Sequence, residues 1–172
     1  LVSLLLRFYE PQGGSITIDG VPVGQYSRDG LRRRLALVLQ DTWLFGGTIA
    51  ENIAYGTEGA TREQIVEAAK AARIHRFVNS LPEGYDTVLT DEGAGISKGQ
   101  RQLLAIARAV AADPAILLLD EITANLDGDT EQAVLTALAR AAGRRTVVLI
   151  PPRPLRRTGG RQIPLSPLLA GV

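Results

Sequence analysis

Five consecutive apolar residues, Ala115-Ile116-Leu117-Leu118-Leu119, run straight into the adjacent carboxylates Asp120 and Glu121. An apolar run this short reads as a strand buried on both faces, as in parallel sheets covered by helices. Short apolar strands of this kind, alternating with helices, point to an α/β domain with a mainly parallel sheet. This one also sets two carboxylates at the carboxyl edge of the sheet, where ligands of open α/β folds bind. A strand followed by two solvated acids in a turn is the other reading, and this segment alone does not choose between them.

The rest of the chain supplies compatible elements. Residues 36–39 and 146–150 read as further buried strands, and 15–18 as a half-buried strand turned by Asp19-Gly20. Residues 1–8 read as the end of a helix, stopped by Pro11-Gln12-Gly13-Gly14. Short helices are expected over 28–34, 48–55 and 74–80. Over 61–72 the helix is marked by a capping box, Thr61 with Gln64, and by Ile65, Ala68, Ala69 and Ala72 on one face. A second box, Ser97 with Gln100, opens a helix to about Ala112, which Asp113-Pro114 breaks. Residues 82–95 read as a Gly- and acid-rich loop, and 130–142 as a last helix. The helix-rich stretch from about 40 to 112 predicts a subdomain inserted between strands, and no repeat of 20 to 50 residues is visible.

Composition narrows the function classes. The formal net charge of +1 gives no global attraction to nucleic acid or acidic lipid. Residues 151–172 carry Arg153, Arg156, Arg157 and Arg161 and no acid, leaving 15 basic against 18 acidic residues before them. That Pro/Arg-rich tail reads as a disordered or unnatural end rather than a nucleic-acid arm. Cysteine is absent, which excludes disulfides, thiolate metal sites and a Cys nucleophile. No apolar run approaches the roughly 20 residues of a membrane-spanning helix, and residues 1–8 lack the basic leader of a signal peptide. A membrane role is therefore expected through a partner or another segment.

Eighteen residues upstream of Ala115, Ser97-Lys98-Gly99-Gln100 opens a helix. A serine, a small glycine and free backbone N–H groups at a helix start make an anion site, although an S-x-x-Q box alone is equally a plain cap. Together the segments resemble the nucleotide-binding domain of ABC transporters, exporter type. Residues 96–100 match its signature, usually L-S-G-G-Q, and 116–121 its Walker B strand and catalytic glutamate. Ala124-Asn125-Leu126-Asp127 matches the D-loop, and Val38-Leu39-Gln40-Asp41 the Q-loop. Phe45-Gly46-Gly47-Thr48-Ile49-Ala50-Glu51-Asn52-Ile53 is similar to the exporter stretch F-x-G-T-I-x-E-N-I. The segments 81–87 and 91–93 resemble the stretch before the signature. The motifs stand in family order and spacing over about residues 1–150.

The resemblance implies a P-loop NTPase-like parallel-sheet core with an inserted helical signature subdomain, and ATP with Mg²⁺ as cofactors. It implies that Glu121 polarises the attacking water while Asp120 and Gln40 organise the metal, Gln40 through water. Ser97, Lys98, Gly99 and Gln100 would bind nucleotide in trans, in a sandwich with a second nucleotide-binding domain, and Asp127 would join the nucleotide site. The implied partners are that second domain and a transmembrane domain on the same or another chain, with no nucleic acid. The implied place is the cytoplasmic face of the plasma (inner) membrane.

Several departures from the family pattern shape the expectations. G-x-x-x-x-G-K-S/T occurs nowhere in the 172 residues. Leu1 aligns just after that loop, so the chain reads as a partial domain over 1–150, lacking N-terminal strands and catalytically incomplete alone. Pro152 stands where the family has a histidine, and residues 153–172 resemble nothing in it, which reads as a frameshift or aberrant gene end near Ile150. Lys98 replaces the first signature glycine; its ammonium either pairs with phosphate or crowds the approach that glycine permits. His75 is assigned no role, Trp43 and Phe45 either anchor a membrane-domain helix or pack in the core, and Arg32, Arg33 and Arg34 read as a solvated face. Absent strands would leave apolar faces of 1–8 and 115–119 uncovered and make the chain aggregate alone. The rival readings are a non-catalytic remnant, or an interaction module supplying its signature in trans to a complete ATPase.

Overall fold

The computed structural model describes residues 1–89, 95–124, 126–143 and 145–151. In chain order they form α1 (Val2–Leu5), β1 (Thr17–Ile18), β2 (Val21–Pro22), α2 (Arg28–Arg32), β3 (Leu35–Leu39) and β4 (Gly47–Thr48). Next come α3 (Ile49–Ala54), α4 (Arg62–Ala71), α5 (His75–Ser80) and β5 (Val88–Leu89). The chain continues through α6 (Lys98–Ala111), β6 (Ile116–Asp120), α7 (Gly128–Ala142) and β7 (Thr146–Ile150). Asn125, residues 91–93, Pro152 and the rest of the tail, all named above, lie outside the described residues.

β6 is the middle strand of a three-stranded parallel sheet of order β3-β6-β7. Its uninterrupted apolar composition follows from that place. Leu117 and Leu119 enter a large core shared with α3, α4, α6 and α7, while Leu118 enters a smaller one with Leu6, Ile18, Val23, Leu31 and Leu35. Successive strand residues point to opposite faces, so a strand covered on both sides must be apolar at every position. Each leucine so buried contributes about 1.5–3 kcal/mol.

Two expectations are corrected here. Leu117, Leu118 and Leu119 are not left uncovered, each at most 1% exposed, although Ala115 is exposed. The exposed apolar side chains of the first residues are Leu1 and Phe8, at 51% and 58%. Nor are the other two strands continuously buried. Leu39 is 47% exposed, and β7 has no fully buried residue, because each flanks β6 on one side and pairs on that side only among the described residues.

Local chemistry sets the remaining element boundaries. β1 and β2 form an antiparallel hairpin turned by Asp19 and Gly20, with φ 50° and 80°, the left-handed pair that a two-residue turn requires. The capping boxes at Thr61 and Ser97 both form, and Thr48 with Glu51 makes a third. Asp127 accepts from the Thr130 backbone N–H, so α7 starts earlier than its apolar pattern indicated. Residues 82–95 contain more than loop: a 3₁₀ turn at Gly84–Asp86, then β5, antiparallel to β4. Two-residue strands carry no periodicity for a sequence reading to find. α6, buried over most of its circumference, packs on α3, α4, α7 and β3.

Candidate functional site

Three parallel strands in register end level with one another: Leu39 pairs with Asp120, and Asp120 with Ile150. The residues at those ends therefore gather along one edge. Leu39, Gln40, Asp41, Asp120 and Glu121 line a cleft of about 390 Å³ there. Asp120 is half-buried at the end of its strand and Glu121 is exposed. Glu121 has φ 51°, a left-handed conformation that costs a non-glycine residue roughly 1–2 kcal/mol. Its N–H donates to the Ile150 carbonyl at 2.8 Å, which helps hold that turn in place. Strain retained directly beside a cleft is characteristic of working sites.

The donor set is one of oxygen atoms, which suits a hard divalent cation. No group of three or more His, Cys, Asp or Glu among the described residues is placed to cage a metal by itself. Mg²⁺ is commonly held by one or two carboxylates together with substrate phosphates, and needs no such cage. Asp120 and the Gln40 carboxamide oxygen, around one open cleft, are donors of that type.

At the start of α6, Ser97 Oγ accepts from the Gln100 backbone N–H at 3.2 Å, and Gln100 Oε1 accepts from the Ser97 N–H at 2.9 Å. Lys98 lines a separate cavity of about 200 Å³ with Gln40, Asp41, Arg101 and Gln102. Gly99 is buried, and a Cβ there would sit 2.2 Å from Thr130 Cγ2. Thr130 is held in turn by Asp127, whose carboxylate accepts from its N–H at 3.0 Å and its hydroxyl at 2.7 Å. These bonds, the backbone one foremost, hold the Asp127 carboxyl below its ordinary pKa. The structure thus brings Gln40, Asp120 and Glu121 around one cleft and sets Lys98 beside Gln40 in the next. Ser97, Gly99, Gln100 and Asp127 line neither, but Gly99 and Asp127 meet at Thr130.

Three polar residues have structural contacts that the sequence reading did not indicate. Gln102, 1% exposed, donates through Nε2 to the Leu39 and Gln40 carbonyls and accepts from Thr42 Oγ1. Asn52, also 1% exposed, accepts from the Phe45 N–H and donates to the Phe45 and Thr48 carbonyls. Arg108 donates to the Trp43 carbonyl and to the Asn52 carbonyl and Oδ1, with its guanidinium 5.3 Å from the Tyr55 ring centre. Burial lowers the Arg108 pKa. For Gln102 a signal was present: it lies in the buried stripe of Gly99, Ile106 and Ala109, where a polar side chain needs partners.

Residues 1–124 match a family model described as ABC transporter. The chain belongs to that family. Over 150 residues, 87% of the chain, it is 52% identical to the uncharacterized ABC transporter ATP-binding protein YfiC of Bacillus subtilis, covering 25% of that protein. It is equally identical to the fatty acid ABC transporter ATP-binding/permease protein of Mycobacterium bovis, covering 24% of it. Its identity to the ATP-dependent lipid A-core flippase of Legionella pneumophila is 47%, over 87% of the chain and 26% of the flippase. The chain thus spans about a quarter of the length of these three relatives. A solved bacterial Atm1-family ABC exporter with ATP bound superposes with a TM-score of 0.80 at 44% identity, over 88% of this chain and 27% of that one. The α/β architecture is that of an ABC exporter nucleotide-binding domain.

The residues weighed individually also have places in this ABC domain. Trp43 is 59% and Tyr55 54% exposed, and with the half-buried Phe45 they form a surface cluster with ring centres 5.3 to 6.0 Å apart. Of the two readings for Trp43, core packing is therefore wrong. His75 Nδ1 lies 2.8 Å from the hydroxyl of the buried Tyr85, a structural bond away from both clefts. Two of the three arginines are less free than a solvated face implies. Arg32 stacks on Phe8 and donates to the Leu6 carbonyl, and Arg34 stacks on Tyr26.

Proposed function

We propose that these residues belong to the ATP-binding and ATP-hydrolysing domain of an ABC exporter, which couples hydrolysis to transmembrane transport. The observation that carries this reading is the cleft in which Gln40, Asp120 and Glu121 converge at the carboxyl edge of the sheet. Glu121 accepts the proton of the attacking water, and the Gln40 carboxamide orients that water. Asp120, and Gln40 through a water, would hold Mg²⁺, which would supply neutralisation of developing phosphate charge. Residues 97–100 serve the nucleotide held by a second nucleotide-binding domain, with Asp127 beside them.

The helical stretch from about 40 to 112 acts as a signature subdomain. The surface cluster of Trp43, Phe45 and Tyr55 suits a helix of a transmembrane domain, because aromatic side chains anchor protein interfaces. No helix among the described residues is long and apolar enough to cross a membrane, so that partner is another segment or chain. On this reading the domain works at the cytoplasmic face of the plasma (inner) membrane, with no nucleic-acid partner. The 172 residues contain no G-x-x-x-x-G-K-S/T and are expected not to turn over ATP by themselves.

The test is Mg-ATP turnover by the complete gene product, wild type and Glu121→Gln, and by the 172 residues alone. Loss of a general base should lower turnover by about 10²–10⁴ while ATP binding persists. Unchanged turnover in Glu121→Gln would remove Glu121 from the mechanism. Turnover by the 172 residues alone would refute their incompleteness. Stimulation only when they are mixed with a complete nucleotide-binding domain would favour an interaction module instead.

A further inference from the structure

We propose that Gln102 is a positioning residue that locks Gln40 to the start of α6, so that the cleft edge and the Ser97 end of that helix move as one unit. The inference rests on the nucleotide reading for its consequence, but on geometry alone for the lock itself. Gln102 is 1% exposed, and its carboxamide is spent on one short segment. Nε2 donates to the Leu39 carbonyl at 3.3 Å and the Gln40 carbonyl at 2.7 Å, and Oε1 accepts from Thr42 Oγ1 at 2.8 Å.

This pattern admits one orientation of the amide. Flipping it would turn an oxygen toward two carbonyls and an NH₂ toward Thr42, losing both carbonyl bonds. Gln40 and its neighbour Asp41 are shared by the two cavities, one lined by Asp120 and Glu121 and the other by Lys98. A buried side chain that fixes the backbone of Gln40 from one turn inside α6 therefore fixes the relation between those cavities. Arg108 grips the same segment further along α6, at the Trp43 carbonyl. A load on the aromatic cluster would then reach Gln40 and Ser97 together.

The experiment compares the wild-type chain with Gln102→Met, which keeps volume and removes all three bonds, and with Thr42→Val, which removes one. Amide hydrogen exchange is read without nucleotide. Exchange over residues 40–45 should accelerate about tenfold or more in Gln102→Met and less in Thr42→Val, with α4 unchanged. Unchanged exchange over 40–45 in both variants overturns the proposal. So does equal acceleration everywhere in both, which would mark Gln102 as a general core residue. Should only Gln102→Met fail to fold, Thr42→Val decides on the same criterion.

Turnover in the complete gene product then tests the consequence. Gln102→Met is expected to lower kcat per titrated active site about tenfold with KM changed by less than about threefold; titration is required because loss of folded protein alone lowers apparent kcat at unchanged KM. Absence of wild-type turnover, with the exchange result as expected, refutes the nucleotide reading and leaves the lock standing. Normal turnover in Gln102→Met, with Glu121→Gln impaired, refutes the lock's catalytic role and leaves that reading intact.

Discussion

At the residue scale, Gly99 separates two effects that oppose one another. Inside a helix alanine is better than glycine by roughly 0.5–1 kcal/mol. A Cβ at Gly99, however, would lie 2.2 Å from Thr130 Cγ2, and overpacking of this kind costs about 1–3 kcal/mol. Gly99→Ala should therefore destabilise the chain in urea unfolding, and adding Thr130→Ser, which removes Cγ2 but keeps the hydroxyl for Asp127, should recover most of the loss. An unperturbed single variant would show that α6 and α7 do not approach as described. Asp127 gives a pH prediction. Its folded pKa is depressed by bonds from Thr130, so its contribution is fully present above the unfolded value and disappears as pH falls through the folded one. The stability gap between wild type and Asp127→Ala should be flat at neutral pH and close below about pH 4. A gap constant down to pH 2 would contradict the bonding.

At the scale of elements, α6 is organised by what its polar residues grip rather than by its apolar stripe alone. Its apolar stripe packs against α3, α4 and α7, a contact that tolerates small shifts, whereas Gln102 and Arg108 hold named carbonyls of segment 39–52. Replacing Arg108 by methionine keeps much of the packing on Tyr55 but leaves the Trp43 and Asn52 carbonyls without these donors. Hydrogen bonds to a charged group contribute about 1.5–3 kcal/mol, so Arg108→Met should lose about that much in chemical denaturation. A loss no larger than a few tenths would show those carbonyls to be satisfied by water. The capping boxes at Thr61 and Ser97 were legible in the sequence because both partners lie three residues apart. Arg108 was not, because its partners Trp43 and Asn52 are 65 and 56 residues away.

For the whole molecule, the three-stranded sheet predicts a gradient of stability. β6 is bonded on both sides and its central leucines are buried on both faces, while β3 and β7 each pair with β6 alone among the described residues. Amides of β6 should be the slowest of the sheet to exchange, with β3 and β7 opening at lower free energy. Equal protection in all three strands would show that the outer two are covered in solution. The sequence by itself determined the longer elements: an apolar run needs a two-sided core, a capping box starts a helix, and consecutive carboxylates end a strand. These are properties of neighbouring residues, so they survive reading one segment at a time. Only the tertiary structure decided that β6 lies in the middle, that Gly99 faces Thr130, and that Gln102 is spent on Leu39, Gln40 and Thr42. Each of those depends on segments far apart in the chain meeting at atomic contact, which packing decides and local pattern does not encode.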